Sequence, residues 1–138
     1  MDLKDKDLYI DNLAKVIHEA NVNKGFWPEN KEERNKSEVL MLIVSELAEA
    51  QEALRDNYFA GKLTTEEKLD LFDLYNRFPE EYKKVFEAKI KNSFEDEMID
   101  ALVRQLDAIE AFGIDLNFHL RSKLYYNSLR GHKHGKNF

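Results

Sequence analysis

Two short stretches of this chain place acids where a core helix would hold apolar side chains. In Leu42-Ile43-Val44-Ser45-Glu46-Leu47-Ala48-Glu49-Ala50, the residues Glu46 and Glu49 are three apart, and on a helix that spacing puts both on one face. In Phe94-Glu95-Asp96-Glu97-Met98-Ile99-Asp100-Ala101-Leu102, Glu97 and Asp100 repeat the device. A carboxylate buried in such surroundings without a partner is costly, so each pair calls for a counter-charge. Two helices of this kind facing each other would form a four-carboxylate cage. Oxygen-only donors of that type suit Mg²⁺, or Mn²⁺ in its place. The neighbours Glu32/Glu33, Glu66/Glu67 and Glu80/Glu81 lie in polar surroundings and need only a wet surface.

Other chemistries lack their residues. A di-iron bundle would need Glu-x-x-His on two helices. The four histidines follow Lys15, Leu116, Leu129 and Gly131 at that spacing, so the motif is absent. The chain has no cysteine, which excludes disulfides, zinc–thiolate sites and cysteine nucleophiles. There is no glycine-rich phosphate loop either. If phosphate binds, metal ions and basic side chains must hold it.

The elements that would position these acids are helical. Only 5 glycines and 2 prolines interrupt the 138 residues, a length that fits one domain. A first helix is expected over about Asp5 to Asn23, with Leu8, Leu13, Val16, Ile17 and Ala20 as its apolar stripe and Gly25 as its stop. Phe26-Trp27-Pro28 forms a stiff connection, and residues 29–35 a loop. A second helix is expected from a Ser37 cap to about Asp56; apolar residues cover much of its circumference, which places it centrally. Residues 57–92 read as a helical insertion. There Thr64 with Glu67 offers a capping box before a short helix that stops at Pro79, and another short helix follows. Ser93, with Asp96 three residues on, caps the helix that carries the second acidic pair, and Gly113 ends it. Asp115 opens the last helix, which runs to about Ser128. The expectation is an all-α bundle of four main helices plus the insertion, in a single domain. Its apolar surface exceeds what one chain covers, so it should dimerise.

Charge and hydropathy narrow the partners. A net charge of −6 argues against general affinity for nucleic acid. No apolar run approaches the roughly 20 residues of a spanning helix, and the charged start has no signal-peptide core, so a cytoplasmic protein is expected. From Arg121 onward the chain turns basic, which suits a site where metal and tail grip one anion together.

At this point the chain resembles the MazG-type all-α nucleoside triphosphate pyrophosphohydrolases. The resemblance rests on Leu42 to Ala50, on Glu97-Met98-Ile99-Asp100, and on Lys123, Tyr126-Asn127, Arg130 and His134-Gly135-Lys136. The family pattern is Glu-x-x-Glu on one helix, Glu-x-x-Asp on the next, and a basic C-terminal segment. Two departures are evident. Ser45 stands where the longer family motif often has glutamate, and the gap between the acidic pairs is longer than in compact members.

The resemblance implies that Glu46, Glu49, Glu97 and Asp100 hold Mg²⁺. The reaction would be hydrolysis of a nucleoside triphosphate to monophosphate and pyrophosphate, by a metal-activated water attacking in line at the α-phosphorus. Which carboxylate takes the water's proton is open; Glu49 is the first choice, and Glu46 the other catalytic candidate. Lys123, Asn127 and Arg130 resemble the phosphate-contacting positions, with Lys133, His134 and Lys136 adding from the tail. His18 and Trp27 resemble a base pocket; the alternatives are a surface histidine and a packing tryptophan. His119 reads as structural or solvated. The assembly would be a homodimer or a tetramer. Two further readings stand beside this one: a non-catalytic dimeric helical interaction or regulatory module with a degenerate acidic site, and a related enzyme acting on a phosphoribosyl-linked nucleotide.

Overall fold

The computed structural model describes residues 9–131. Every regular element among them is helical: α1 (Ile10–Asn23), a 3₁₀ turn (Lys31–Glu33), α2 (Lys36–Arg55), α3 (Thr65–Arg77), α4 (Pro79–Lys89), α5 (Phe94–Ala111) and α6 (Leu116–Ser128). The chain divides into two compact units, described in turn: residues 9–35 with 105–131, and residues 36–104.

The helix ends follow local chemistry. After α1, Gly25 adopts φ +81°, its N–H bonds Val22 O at 3.0 Å, and the Phe26 N–H reaches back to Asn21 O at 3.1 Å. That pair of bonds satisfies carbonyls the helix end would otherwise leave open, and the left-handed φ is one that glycine adopts without strain. Gly113 ends α5 the same way, at φ +67° with Ile114 N–H on Ile109 O at 3.1 Å. After α2, Asn57 takes this role at φ +52°, with Tyr58 N–H on Ala53 O at 2.9 Å. Asparagine is the residue that most readily replaces glycine in such a position.

In the first unit, α1 and α6 lie together. The Asn117 amide donates to the Asp11 carboxylate between them. Asp115 caps α6 by accepting from Phe118 N–H at 3.1 Å. The buried residues here are Ala14, His18, Leu106, Asp107 and Ala108. Two of the five are polar, so this small core closes around a hydrogen-bonded cluster as well as apolar contacts.

In the second unit, α3 and α4 form a helical hairpin around Tyr75 and Tyr82, whose rings meet edge to face at 5.5 Å. Thr64 and Glu67 complete the capping box that starts α3, with Glu67 N–H on Thr64 Oγ1 at 3.2 Å and Thr64 N–H on Glu67 Oε2 at 2.7 Å. The two ends of the 57–92 segment are pinned to each other. Phe94 N–H donates to Tyr58 O at 2.9 Å. The Tyr58 hydroxyl donates to Lys91 O at 2.9 Å, and Ala60 N–H to Glu95 Oε2 at 2.9 Å. The hairpin is thus an excursion whose ends close where α2 finishes and α5 begins.

Two details differ from the sequence reading. Helix α2 begins at Lys36, so Ser37 lies in its first turn rather than at its cap. The buried face of α2 is a single stripe, Val39, Glu46, Ala50 and Ala53, while Leu40, Met41, Val44, Leu47 and Leu54 are exposed. The chain by itself therefore packs α2 on one side. No helix among the described residues is long and apolar enough to cross a membrane.

Candidate metal centre

The buried stripe of α2 carries Glu46 because it falls seven residues after Val39 and four before Ala50, so it cannot turn away without rotating its apolar neighbours outward. Ser93, just before α5, and Glu97 and Ala101 on it follow one another at four-residue spacing and are all buried. Ser93 fixes the register of that stripe: its Oγ accepts from Asp96 N–H at 3.2 Å, and Asp96 Oδ2 accepts from Asn92 N–H at 2.8 Å. Each acid is thus delivered by an otherwise ordinary small-residue helix face.

Carboxylate oxygens of Glu46, Glu49 and Glu97 lie within 4.8 Å of one another. Glu46 is 8 % exposed and Glu97 4 %, while Glu49 is open to solvent. Among the described residues, one cation enters the group. Arg104, one turn beyond Asp100, donates from Nε to Glu46 Oε1. The Glu97 carboxylate has neither a hydrogen bond nor an ion pair there. Its burial pushes its carboxyl up from 4.5 to about 7, and Glu49, Asp100, Glu46 and Asp96 push the same way by repulsion. Asp100 is also raised, first by burial and then by Asp96 and Glu46, with Arg104 opposing.

The donor set fits a hard divalent cation. All the donors are carboxylate oxygens, and a Mg²⁺ ion about 2.1 Å from each oxygen brings its ligands within roughly 3–4 Å of one another. An acid whose proton is held first by burial and then by acidic neighbours would give that proton up to bind such a cation. Three of the four acids expected from the sequence meet in this way. Asp100 feels their charge but lies outside the close group.

The remaining candidates fall in the other unit or beyond the described residues. His18 is buried, which rules out the surface-histidine alternative. Its Nδ1 bonds Asp107 Oδ1 at 2.6 Å, and its Nε2 is buried without a hydrogen-bond partner among the described residues. Asp107 also accepts from Asn21 Nδ2 at 2.7 Å and from Trp27 Nε1 at 3.0 and 3.1 Å. Trp27 meets His18 edge to face at 5.4 Å and Phe112 at 6.2 Å, with the Arg34 guanidinium 5.9 Å from its ring centre. The polar atom of Trp27 and one of the two on His18 are therefore committed to Asp107.

Lys123 on α6 and Arg130 just beyond its end are exposed, and both approach the Tyr126 ring, at 5.5 and 5.7 Å. Tyr126 is itself exposed, with two cations against its ring rather than packed in a core. Asn127 is half-buried and His119 exposed. Lys133, His134 and Lys136 lie outside the described residues.

Arg104 and Asp107 are the two site residues that the sequence pattern did not single out. Arg104 leaves a trace there, as the single basic residue in α5 and four positions after Asp100. Asp107 leaves a weaker one, an acid flanked by Leu106, Ala108 and Ile109.

No protein-family model, curated protein or solved structure matches this chain significantly.

Proposed function

We propose that this protein is a Mg²⁺-dependent nucleoside triphosphate pyrophosphohydrolase of the MazG-like kind, acting as a homodimeric helical bundle. The observation that carries this reading is Glu97: a carboxylate 4 % exposed, without a partner among the described residues, beside the oxygens of Glu46 and Glu49. A chain with no use for a cation gains stability by replacing such an acid with an apolar residue. When bound, Mg²⁺ would neutralise phosphate charge and make water a stronger acid.

The residues divide the remaining work. Glu46 and Glu97, both buried, would hold the ion. Glu49 is the member of the close group that faces solvent, so it is the one placed to take a proton from an attacking water. Asp100 completes the set from the next turn of α5. Lys123, Asn127 and Arg130, with Lys133, His134 and Lys136, belong to the substrate's phosphates by resemblance. His18 and Trp27 belong to the base by the same resemblance; with Trp27 Nε1 and His18 Nδ1 held by Asp107, the Trp27 ring and His18 Nε2 are what they offer. The exposed apolar residues of α2 supply the surface for a second copy.

The test is pyrophosphate release from a panel of canonical and modified nucleoside triphosphates with Mg²⁺. The reading expects release with at least one of them, and its loss in Glu49→Ala and Asp100→Ala while the helical signal persists. A second reading, the non-catalytic helical module, is favoured by Arg104, which neutralises Glu46 without any metal. A chain that releases no pyrophosphate and does not respond to Mg²⁺ belongs to that reading.

A further inference from the structure

Arg104 has more capacity than its one bond uses. Its Nε–H is committed to Glu46 Oε1. A guanidinium carries five N–H donors in a planar fork, and among the described residues Arg104 makes no other hydrogen bond or ion pair. Its side chain is 44 % exposed while that of Glu46 is 10 % exposed, so the head group runs from the buried acids out to solvent. Its charge also reaches Asp100.

A cation that grips a buried acid through one N–H, keeps four N–H donors unengaged among the described residues and is nearly half exposed can serve two anions at once. The chain supplies the first. The second must come from solution, must tolerate four nearby acids, and must accept planar paired donors. A phosphate oxygen meets these requirements when a divalent cation offsets the acids, and bidentate recognition of phosphate is what the arginine fork does best.

We propose that Arg104 is a phosphate-binding residue of the acid site, with Nε holding Glu46 and the terminal amino groups taking a non-bridging oxygen of a di- or triphosphate. The proposal rests on the metal-site reading above, and it moves phosphate recognition onto α5 itself, beside the acids. The ion pair then links the two functions: the bond that orients Glu46 also aims the fork.

The experiment is calorimetric titration of the full chain, wild type, Arg104→Lys and Arg104→Gln, first with Mg²⁺ alone and then with inorganic pyrophosphate in saturating Mg²⁺. Arg104→Lys keeps a charge that can stay beside Glu46 but loses the fork; Arg104→Gln loses both. Both variants are expected to bind Mg²⁺ within about threefold of wild type or more tightly, since the nearby positive charge is kept in the first and removed in the second. Pyrophosphate binding should weaken about tenfold or more, as loss of a charge-assisted hydrogen bond implies. Unchanged pyrophosphate affinity in both variants overturns the proposal. Equal loss of Mg²⁺ and pyrophosphate binding also overturns it, because Arg104 then serves only Glu46. If wild type takes up neither Mg²⁺ nor pyrophosphate, the metal-site reading fails and the proposal falls with it.

Discussion

Glu46 and Glu97, from two different helices, bring carboxylate oxygens within 4.8 Å of each other although each residue is more than nine-tenths buried. Only Glu46 has a cationic partner among the described residues, Arg104. The pair is thus a local source of instability that a divalent cation would remove, and stability measurements can read it.

Glu97→Gln keeps the shape and removes the charge. Its melting temperature in EDTA is expected to exceed that of wild type. Wild type should gain ~2.7 kcal/mol at a hundred times its Kd for Mg²⁺, and the variant should gain little. Thermal melts with and without Mg²⁺ decide this; equal Mg²⁺ responses in the two proteins would remove Glu97 from the site.

The pH dependence has a definite sign. Burial and then acidic neighbours hold the Glu97 carboxyl at about 7 instead of 4.5. Between those values the folded chain keeps a proton that the unfolded chain has lost, so the unfolded state binds fewer protons and stability falls as pH rises. The contribution is fully present below pH 4.5 and is lost as pH passes 7. Denaturant titrations in EDTA should show this fall in wild type and a smaller one in Glu97→Gln. The stabilisation by Mg²⁺ should grow over the same window, since ligands bind the ion deprotonated. Superimposable profiles for the two proteins would refute the assignment.

Asp107→Ala strips the acceptor from three donors at once: His18, Asn21 and Trp27. Leaving one buried and two half-buried donors unpaired should cost about 3 kcal/mol. Trp27 is the chain's single tryptophan, so its fluorescence should report the change in the folded state. A variant with wild-type stability and emission would mean that the cluster contributes little to the first unit.

Val44→Glu tests the proposed pairing of chains. Val44 is 49 % exposed on the side of α2 away from Val39 and Ala50. A charge there should leave a lone chain nearly as stable, within about 0.5 kcal/mol, and should dissociate a dimer built on that face. Sedimentation of both proteins at matched concentration distinguishes the cases. An unchanged oligomer would place the interface elsewhere, and a monomeric wild type would dispose of the dimer.

What the sequence made legible is what local chemistry decides. Gly25, Gly113, Asp115 and the Thr64–Glu67 box mark helix ends within a few residues, because each acts on backbone one turn away. The acidic pairs were legible for the same reason, since helical periodicity shows them inside apolar stripes. Asp107 was not, because its partners stand 80 to 89 positions away and no spacing rule connects them. Arg104 finds Glu46 across 58 positions. The separation of Asp100 from the close group was equally hidden: spacing puts two acids on one face of a helix but says nothing of how far the facing helix reaches. Apolar content places α2 centrally, but it does not say which of its faces the same chain covers.

The most direct measurement is calorimetric titration of Mg²⁺ into wild type, Glu46→Gln and Glu49→Gln at pH 8. The account predicts saturable binding to wild type and its loss, or weakening by at least about tenfold, in each variant. No saturable uptake by wild type, or equal affinity in all three, would contradict it.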